Sequence, residues 1–182
     1  MRNKQLLLII EIAMMSSIGI ILDYLSSITL GFAWPNGGSI GIAMVVVFVM
    51  AFRRGLVAGL LTGFIIGLLQ LLYAGGGFIN VFQAFFDYYG AYAAVGLAGV
   101  ATKKLDITKP KTTLVYMVSA MFIAGLIRFI LHFLSGIWFW EAGFWVSIVY
   151  NIGYMGPSIF LSIIVVLAIW KLQPKIIFTE AE

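Results

Sequence analysis

Several ionisable or amide side chains lie inside otherwise apolar stretches of this sequence, among them Asp87, Arg128, His132 and Asn151. His132 is the only histidine of the chain, and Arg128 is a basic residue within an apolar segment. In a bilayer such groups are costly, and they usually face one another or a polar cavity. These four residues therefore mark a candidate functional site.

Large aromatic residues accompany these polar groups. Those expected at a similar depth are Tyr88, Tyr89, Trp138, Trp140 and Tyr150. Trp34 precedes the Pro35-Asn36-Gly37-Gly38 stretch, which we interpret as a flexible lid, and Trp145 is interpreted as a residue of the interfacial aromatic belt. Aromatic faces combined with a buried carboxylate suit a flat ligand that is cationic or carries an amine.

The composition defines the class of protein that must position these residues. Of the 182 residues, 63% are hydrophobic and only 10% are charged, and the mean hydropathy is +1.10. These values indicate an all-α polytopic membrane protein, with a single domain over residues 1–182. The absence of cysteine excludes disulfides and thiolate metal sites, and we expect no metal or cofactor. The basic N-terminus is expected to lead into a retained first helix and not a cleaved signal peptide.

Six apolar segments are candidate membrane-spanning helices, a role that takes about 20 residues each. They are Leu6–Ile28, Ile40–Phe52, Leu56–Tyr73, Phe78–Ala101, Thr113–Ser135 and Phe144–Trp170. The second is short for a span. In the third, glycines recur every four residues and predict a smooth ridge, which packs either inside the bundle or against another subunit. These glycines are Gly55, Gly59, Gly63 and Gly67.

The remaining basic residues predict the orientation. They are Arg2, Lys4, Arg53, Arg54, Lys103, Lys104, Lys109, Lys111, Lys171 and Lys175. With six spans all of them fall on one side, and the loops near 30–39, 74–77 and 136–143 contain no Lys or Arg. This positive-inside pattern predicts cytoplasmic termini. It also explains the net charge of +4 without a nucleic-acid partner.

The polar residues of three predicted helices reach a similar depth. With 1.5 Å of rise per residue, Asp87, Arg128 and Asn151 lie roughly 11–13 Å below the outer ends of their helices, and His132 lies one turn from Arg128. Two interpretations remain open. The groups could line a pocket, or Asp87 and Arg128 could form an ion pair that only stabilises the scaffold.

Motifs of common enzymes are mostly missing. The sequence lacks a G-x-x-x-x-G-K-[ST] phosphate loop and an H-E-x-x-H zinc motif. Residues 37–41 match G-x-S-x-G formally, so an intramembrane hydrolase that uses Ser39 and His132 remains an alternative. A pocket without catalytic machinery predicts a binding subunit, not an enzyme, whose energy comes from partner proteins.

Five segments carry a resemblance to a known family: EIAMMSSIGIILD, SIGIAMVVVFVMAFRRGLVAGLLTG, QAFFDYYGAYAAVGLAG, RFILHFLSGIWFW and YNIGYMGPS. Over essentially its full length the chain resembles the thiamine-specific substrate-binding subunit (S component) of energy-coupling factor transporters. The resemblance implies a six-helix bundle in the cell membrane that binds thiamine near its extracellular face. A transmembrane coupling subunit and two cytoplasmic ATPase subunits would supply the energy for uptake.

The resemblance also implies roles for individual residues. The expected binding positions are Trp34, Asp87, Tyr88, His132, Gly136, Trp140, Tyr150 and Asn151. Asp87 stands where the family usually has glutamate. Ala13 and Ser17 match the small pair on the first helix that meets the coupling subunit, while Val146 and Gly77 stand where tyrosines are expected. An S component for another vitamin or a thiamine precursor would also fit this pattern, and so would a purely structural membrane subunit.

Overall fold

The computed structural model describes residues 2–34, 38–73, 77 and 79–178, and every regular element in these ranges is helical. The helices are α1 (Arg2–Leu30), α2 (Ala43–Arg54), α3 (Leu56–Gln70), α4 (Val81–Ala84), α5 (Gly90–Val95), α6 (Pro110–Trp138), α7 (Phe144–Leu172) and α8 (Pro174–Ile177). A π-helix, Phe85–Tyr89, joins α4 to α5, and a 3₁₀ helix, Gly96–Lys104, continues α5. Residues 81–104 thus form one composite helix.

The all-α prediction is confirmed, and each predicted apolar segment overlaps a helical stretch. Three helices are long and apolar enough to cross a membrane: residues Asn3–Leu30 of α1, together with α6 and α7. The predicted start of the fourth segment, Phe78, lies outside the described residues. The helix there begins at Val81, because the Asn80 side chain caps it by accepting a hydrogen bond from the Gln83 amide at 2.9 Å.

The short second helix forms the centre of the bundle. Its 12 residues span about 18 Å, less than the roughly 30 Å of a hydrocarbon core. Residues 43–52 of α2 are all buried, and α1, α3, α7 and the composite helix pack around them. The helix starts later than the predicted Ile40, and the Gly41 amide that precedes it donates to the Ser158 hydroxyl of α7 at 3.0 Å. A helix that is apolar on every side is suited to such a core position.

The glycine ridge of α3 packs inside the bundle, as one of the two interpretations predicted. Gly59, Gly63 and Gly67 lie against the backbone of the composite helix, and a Cβ added to Gly63 would lie 2.7 Å from the carbonyl carbon of Tyr92. Gly55 is different, since it has a φ of 86° at the turn between α2 and α3 and an added Cβ would meet nothing within 4 Å. Three glycines therefore allow close helix contact, while the fourth allows a turn.

One end of the bundle is fastened by charge-assisted hydrogen bonds. The Glu11 carboxylate of α1 accepts from Arg54 at 2.5 and 2.7 Å and from Arg53 at 3.3 Å. Arg53 also donates to the carbonyls of Lys175 and Ile176 at 2.9 and 3.1 Å. These bonds connect α1, the end of α2 and α8.

Replacement of Gly63 by alanine tests the helix contact. We expect Gly63→Ala to destabilise the protein by on the order of 1–3 kcal/mol, because the new methyl group meets backbone that cannot rotate away. Gly156→Ala in α7 is the matched control, since a Cβ there meets nothing within 4 Å. Thermal unfolding in detergent, followed by tryptophan fluorescence, should show a lower midpoint for the first variant only. Equal midpoints would contradict the close packing.

Candidate ligand-binding site

A cavity of about 470 Å³ lies among α1, α3, the composite helix, α6 and α7. Its volume falls in the range of small-molecule sites. All eight predicted binding residues line it: Trp34, Asp87, Tyr88, His132, Gly136, Trp140, Tyr150 and Asn151. On α6 three lining residues, Arg128, His132 and Gly136, recur at intervals of four and therefore share one helix face.

Asp87 lies in the middle of the π-helix, Phe85–Tyr89. One carboxylate oxygen, Oδ2, accepts from Gln83 Nε2 at 2.7 Å and from Trp140 Nε1 at 2.9 Å. The other, Oδ1, lies 3.6 Å from His132 Nδ1, and the Asp87 side chain is 14% exposed. Wide π-turns inside helices are frequent at functional sites. Here the wide turn presents a carboxylate that is held from two sides and still faces the cavity.

The alternative interpretation, an ion pair between Asp87 and Arg128, is not supported, because no such pair is present among the described residues. The guanidinium carbon of Arg128 instead lies 3.8 Å from the centre of the Tyr92 ring. The Tyr92 hydroxyl donates in turn to a second carboxylate, Asp23 of α1. Arg128 is therefore held by a cation–π contact, and Asp87 is not neutralised by it.

A hydrogen-bonded chain on α7 orients His132. Asn151 donates its amide to the Ser147 carbonyl at 2.8 Å, so its Oδ1 is left to accept from the Tyr154 hydroxyl, also at 2.8 Å. The Tyr154 oxygen lies 3.2 Å from His132 Nδ1. Since the tyrosine proton is used on Asn151, Nδ1 must carry the histidine proton. Nε2 is then unprotonated, and this buried atom has no hydrogen-bond partner within the described chain.

Asn151 holds this chain together, since both of its amide atoms have partners on α7. Direct contact between the amide and a heterocyclic ligand stays a prediction, because Asn151 also lines the cavity and its nitrogen and oxygen can each make a further hydrogen bond. The residue missed by that prediction is Tyr154, which lines the cavity and is buried. Sequence spacing offered a signal, because Ser147, Asn151, Tyr154 and Ser158 recur on one face of α7.

Aromatic rings form the wall nearest the segment that precedes α2. The rings of Trp34 and Tyr154 meet edge to face with their centres 6.2 Å apart. The Tyr150 hydroxyl accepts from the Gly38 amide at 3.2 Å, so α7 is bonded to this segment. The remainder of the predicted lid, residues 35–37, lies outside the described residues. Trp140 is 40% exposed, which places its ring at the edge of the cavity.

Two aromatic residues predicted at the same level do not line the cavity. Trp138 packs edge to face on Phe86, with ring centres 5.3 Å apart, and Tyr89 packs on Phe64 and Phe85. Trp145, predicted to be a belt residue, is 74% exposed. Counting residues along a helix groups these rings by depth, but it does not determine the direction in which each ring points.

The remaining predicted positions have simpler roles. A Cβ added to Gly136 would lie 3.1 Å from the Ser147 Cβ, so this glycine allows α6 and α7 to approach each other. The Tyr88 hydroxyl donates to the Gly77 carbonyl at 3.2 Å. Gly77 does not line the cavity, whereas Val146 does.

Sequence reasoning overlooked a group of polar residues on the same wall. Asp23, Gln70, Tyr73 and Tyr92 line the cavity together with Arg128. The available signal was Asp23 itself, a carboxylate within an apolar first helix, which is as costly there as Asp87 is in the fourth. Gln70, Tyr73 and Tyr92 carried no comparable signal.

Ser39 also lines the cavity, but the fold does not support a hydrolase. The G-x-S-x-G motif acts as a nucleophile when a strand turns sharply into a helix. The described residues contain no strand, and Ser39 lies in irregular chain between the 3₁₀ turn Gly31–Ala33 and α2. The helical bundle and its aromatic, acidic cavity instead define a membrane protein that binds a small molecule.

Comparison with known proteins identifies the family. A model of the thiamine transporter protein family (Thia_YuaJ) matches residues 9–178, and the chain belongs to this family. It is 35% identical to the thiamine transporter ThiT of Bacillus subtilis (strain 168), over 98% of each chain. It is 27% identical to the thiamine transporter ThiT of Lacticaseibacillus paracasei (strain ATCC 334), over 96% of this chain and 92% of that one.

A solved structure, that of ThiT from Listeria monocytogenes, resembles the fold with a TM-score of 0.84. The two are 25% identical, and the match covers 97% of this chain and 100% of the other. Because the family consists of transporter proteins, the chain is not an enzyme.

The orientation of His132 is open to direct test. Since the chain has one histidine, protein labelled with ¹⁵N-histidine gives a single set of ring signals. We expect Nδ1 to show the chemical shift of a protonated nitrogen and Nε2 that of an unprotonated one. In Tyr154→Phe, which removes the acceptor from Nδ1, the preference for this tautomer should be lost.

Tyr150→Phe is the matched control, because the Tyr150 hydroxyl bonds to Gly38 and not to the histidine. It should leave the His132 ring signals as they are in the unmodified protein. A protonated Nε2 in the unmodified protein would contradict the proposed hydrogen-bond chain.

Proposed function

We propose that this chain is the thiamine-binding S component of an energy-coupling factor importer, and that thiamine binds in the cavity described above. The observation that carries the proposal is the Asp87 carboxylate, which is held by Gln83 and Trp140 among aromatic rings in the cavity of an apolar bundle. The relatives from Bacillus subtilis and Lacticaseibacillus paracasei are thiamine transporters by name, which supports the same ligand here.

The chemistry of thiamine is complementary to the cavity. Its thiazolium ring carries a permanent positive charge, which the Asp87 carboxylate can balance. Aromatic faces such as those of Trp140 and Trp34 attract flat cations. The aminopyrimidine ring presents donor and acceptor edges, and the Asp87 carboxylate can accept from its amino group, while the His132 ring, which also lines the cavity, can stack on it. Asp87 is one methylene shorter than glutamate, so the ligand or a bridging water spans the difference.

The distribution of charge supports one orientation in the cell membrane. The network of Glu11, Arg53 and Arg54 lies about 18 Å along α1 from the level of Asp23 in the cavity wall. The predicted six spans therefore place the basic end and both termini in the cytoplasm and the cavity toward the exterior. In this arrangement α2 counts as one of the six spans, although it is short and its neighbours enclose it.

Titration of detergent-purified protein with thiamine, followed by tryptophan fluorescence, tests the proposed ligand. Stacking on Trp140 or Trp34 should quench the emission saturably at submicromolar thiamine, while riboflavin and biotin leave it unchanged. Asp87→Asn should weaken thiamine binding by more than about tenfold, because it removes the charge that faces the cation. Calorimetry provides the affinity independently of the tryptophans.

Asp106→Asn is the control for loss of a carboxylate. Hydrogen bonds from the Thr108 hydroxyl and amide lower the pKa of Asp106, which lies in the exposed loop before α6. This variant removes one negative charge away from the cavity and should bind thiamine normally. An unchanged affinity of Asp87→Asn would assign Asp87 to the scaffold. A flat signal with the unmodified protein, confirmed by calorimetry, would refute thiamine as the ligand and favour another vitamin or a thiamine precursor.

We also propose that α1 meets the coupling subunit, which works with two cytoplasmic ATPase subunits. The pair predicted for this contact, Ala13 and Ser17, is exposed on α1 one turn apart. The Ser17 hydroxyl donates to the Ala13 carbonyl at 2.9 Å, so its polar group is satisfied within the helix. Small side chains allow another helix to approach closely.

A bulky residue at this pair should separate binding from transport. We expect Ala13→Phe to reduce uptake of labelled thiamine severalfold or more in cells that contain the coupling and ATPase subunits, because the ring prevents the helix contact. The thiamine affinity of the purified variant should not change. Ile18→Phe, an exposed position on another face of α1, is the control and should transport normally. Normal uptake by Ala13→Phe would place the contact elsewhere.

A further inference from the structure

The cavity contains a second buried carboxylate, on a different helix from the first. Asp23 of α1 is 4% exposed and lines the cavity. It accepts hydrogen bonds from Tyr92, from the Tyr73 hydroxyl at 2.6 Å and from Gln70 Nε2 at 2.9 Å. Every one of these groups donates, which matches the acceptor-only inventory of an ionised carboxylate. The Asp23 carboxylate of α1 is thus held by donors from the end of α3, from Tyr73 just after it and from α5.

Arg128 does not cancel this charge by direct contact. Its guanidinium lies over the Tyr92 ring, and no ion pair joins it to Asp23 or Asp87 among the described residues. Arg128 is 7% exposed, and its Nε has no hydrogen-bond partner in the described part of the chain. The cation and the two carboxylates therefore face the cavity as separate charges, so that each contributes to the field a ligand meets.

The balance of charge in the wall follows from these three residues. Among the lining residues, the side chains with a formal charge are Asp23, Asp87 and Arg128, with His132 counted as neutral. Two negative charges and one positive charge leave one net negative charge. Without Asp23 the same wall would be neutral. In a bundle with an apolar exterior an unbalanced charge is costly, and a ligand with a single positive charge compensates it.

We propose that Asp23 is a specificity-determining residue, which gives the cavity its net negative charge and so selects a monocationic ligand over an uncharged one of the same shape. This inference rests on the proposed thiamine site. It assigns the preference for a cation to two carboxylates on separate helices, Asp87 beside Trp140 and Asp23 beside the Tyr92 hydroxyl.

The test compares thiamine with an uncharged isostere in which a thiophene replaces the thiazolium ring. Calorimetry gives the affinity of each compound for the unmodified protein and for Asp23→Asn. We expect the asparagine variant to bind thiamine about tenfold more weakly or worse, while the neutral compound binds as before or better. A merely structural role would weaken both compounds to the same degree and leave their affinity ratio unchanged, which would overturn the proposal.

Two further variants separate charge from hydrogen bonding. Tyr73→Phe removes one donor to Asp23 but keeps its charge, so the ratio of the two affinities should stay within about twofold of the unmodified value. Arg128→Gln removes the positive charge, so the ratio should shift further in favour of thiamine. A shift in the opposite direction would overturn the proposal even if Asp23→Asn failed to fold.

These outcomes are distinct from failure of the proposed function itself. If the unmodified protein binds neither compound, thiamine is the wrong ligand. If it binds thiamine and the ratio is insensitive to both Asp23→Asn and Arg128→Gln, the proposed function stands and the role assigned to Asp23 is wrong.

Discussion

The structure depends on one constraint: charged groups inside an apolar bundle need partners in the protein or in a ligand. The composite helix meets much of this need, since it carries Asp87 in its π-helix and Tyr92 one turn further on. Tyr92 contacts both the Arg128 guanidinium and the Asp23 carboxylate. The composite helix thus supplies Asp87 and also positions the Tyr92 ring, which contacts both Arg128 and Asp23.

The placement of the composite helix depends in turn on α3. Gly63 and Gly67 lie against its backbone at the levels of Tyr92 and of Tyr88, so the two helix axes come closer than larger side chains would allow. With this contact fixed, the Tyr92 side chain reaches Asp23 of α1 and Arg128 of α6. Close packing of small residues therefore sets the geometry of large ones in the cavity wall.

The sequence predicts those features that are local. Lengths of apolar runs indicate the helical stretches, and the cost of buried charge identifies Asp87, Arg128 and His132 as residues of one site. Residue counting gives depth along a helix but not direction around it. It therefore left a pocket and an Asp87–Arg128 ion pair as alternatives, and in the structure the guanidinium lies on Tyr92. The π-helix, Phe85–Tyr89, was not predicted, because apolar run length does not distinguish a π-turn from the α-helix around it.

The long helices have two different faces, one exposed and apolar and the other enclosed and polar. On α6 the exposed positions include Leu126 and Ile130, while Arg128, His132 and Gly136 face the cavity. The apolar face is suited to lipid, and the polar face is enclosed, which is the reverse of a soluble amphipathic helix. Arg128 and His132 are the ionisable side chains of α6 at the level of the cavity, and both lie on the enclosed face. A single carboxylate in the enclosed wall, such as Asp23, can therefore change which ligands the cavity accepts.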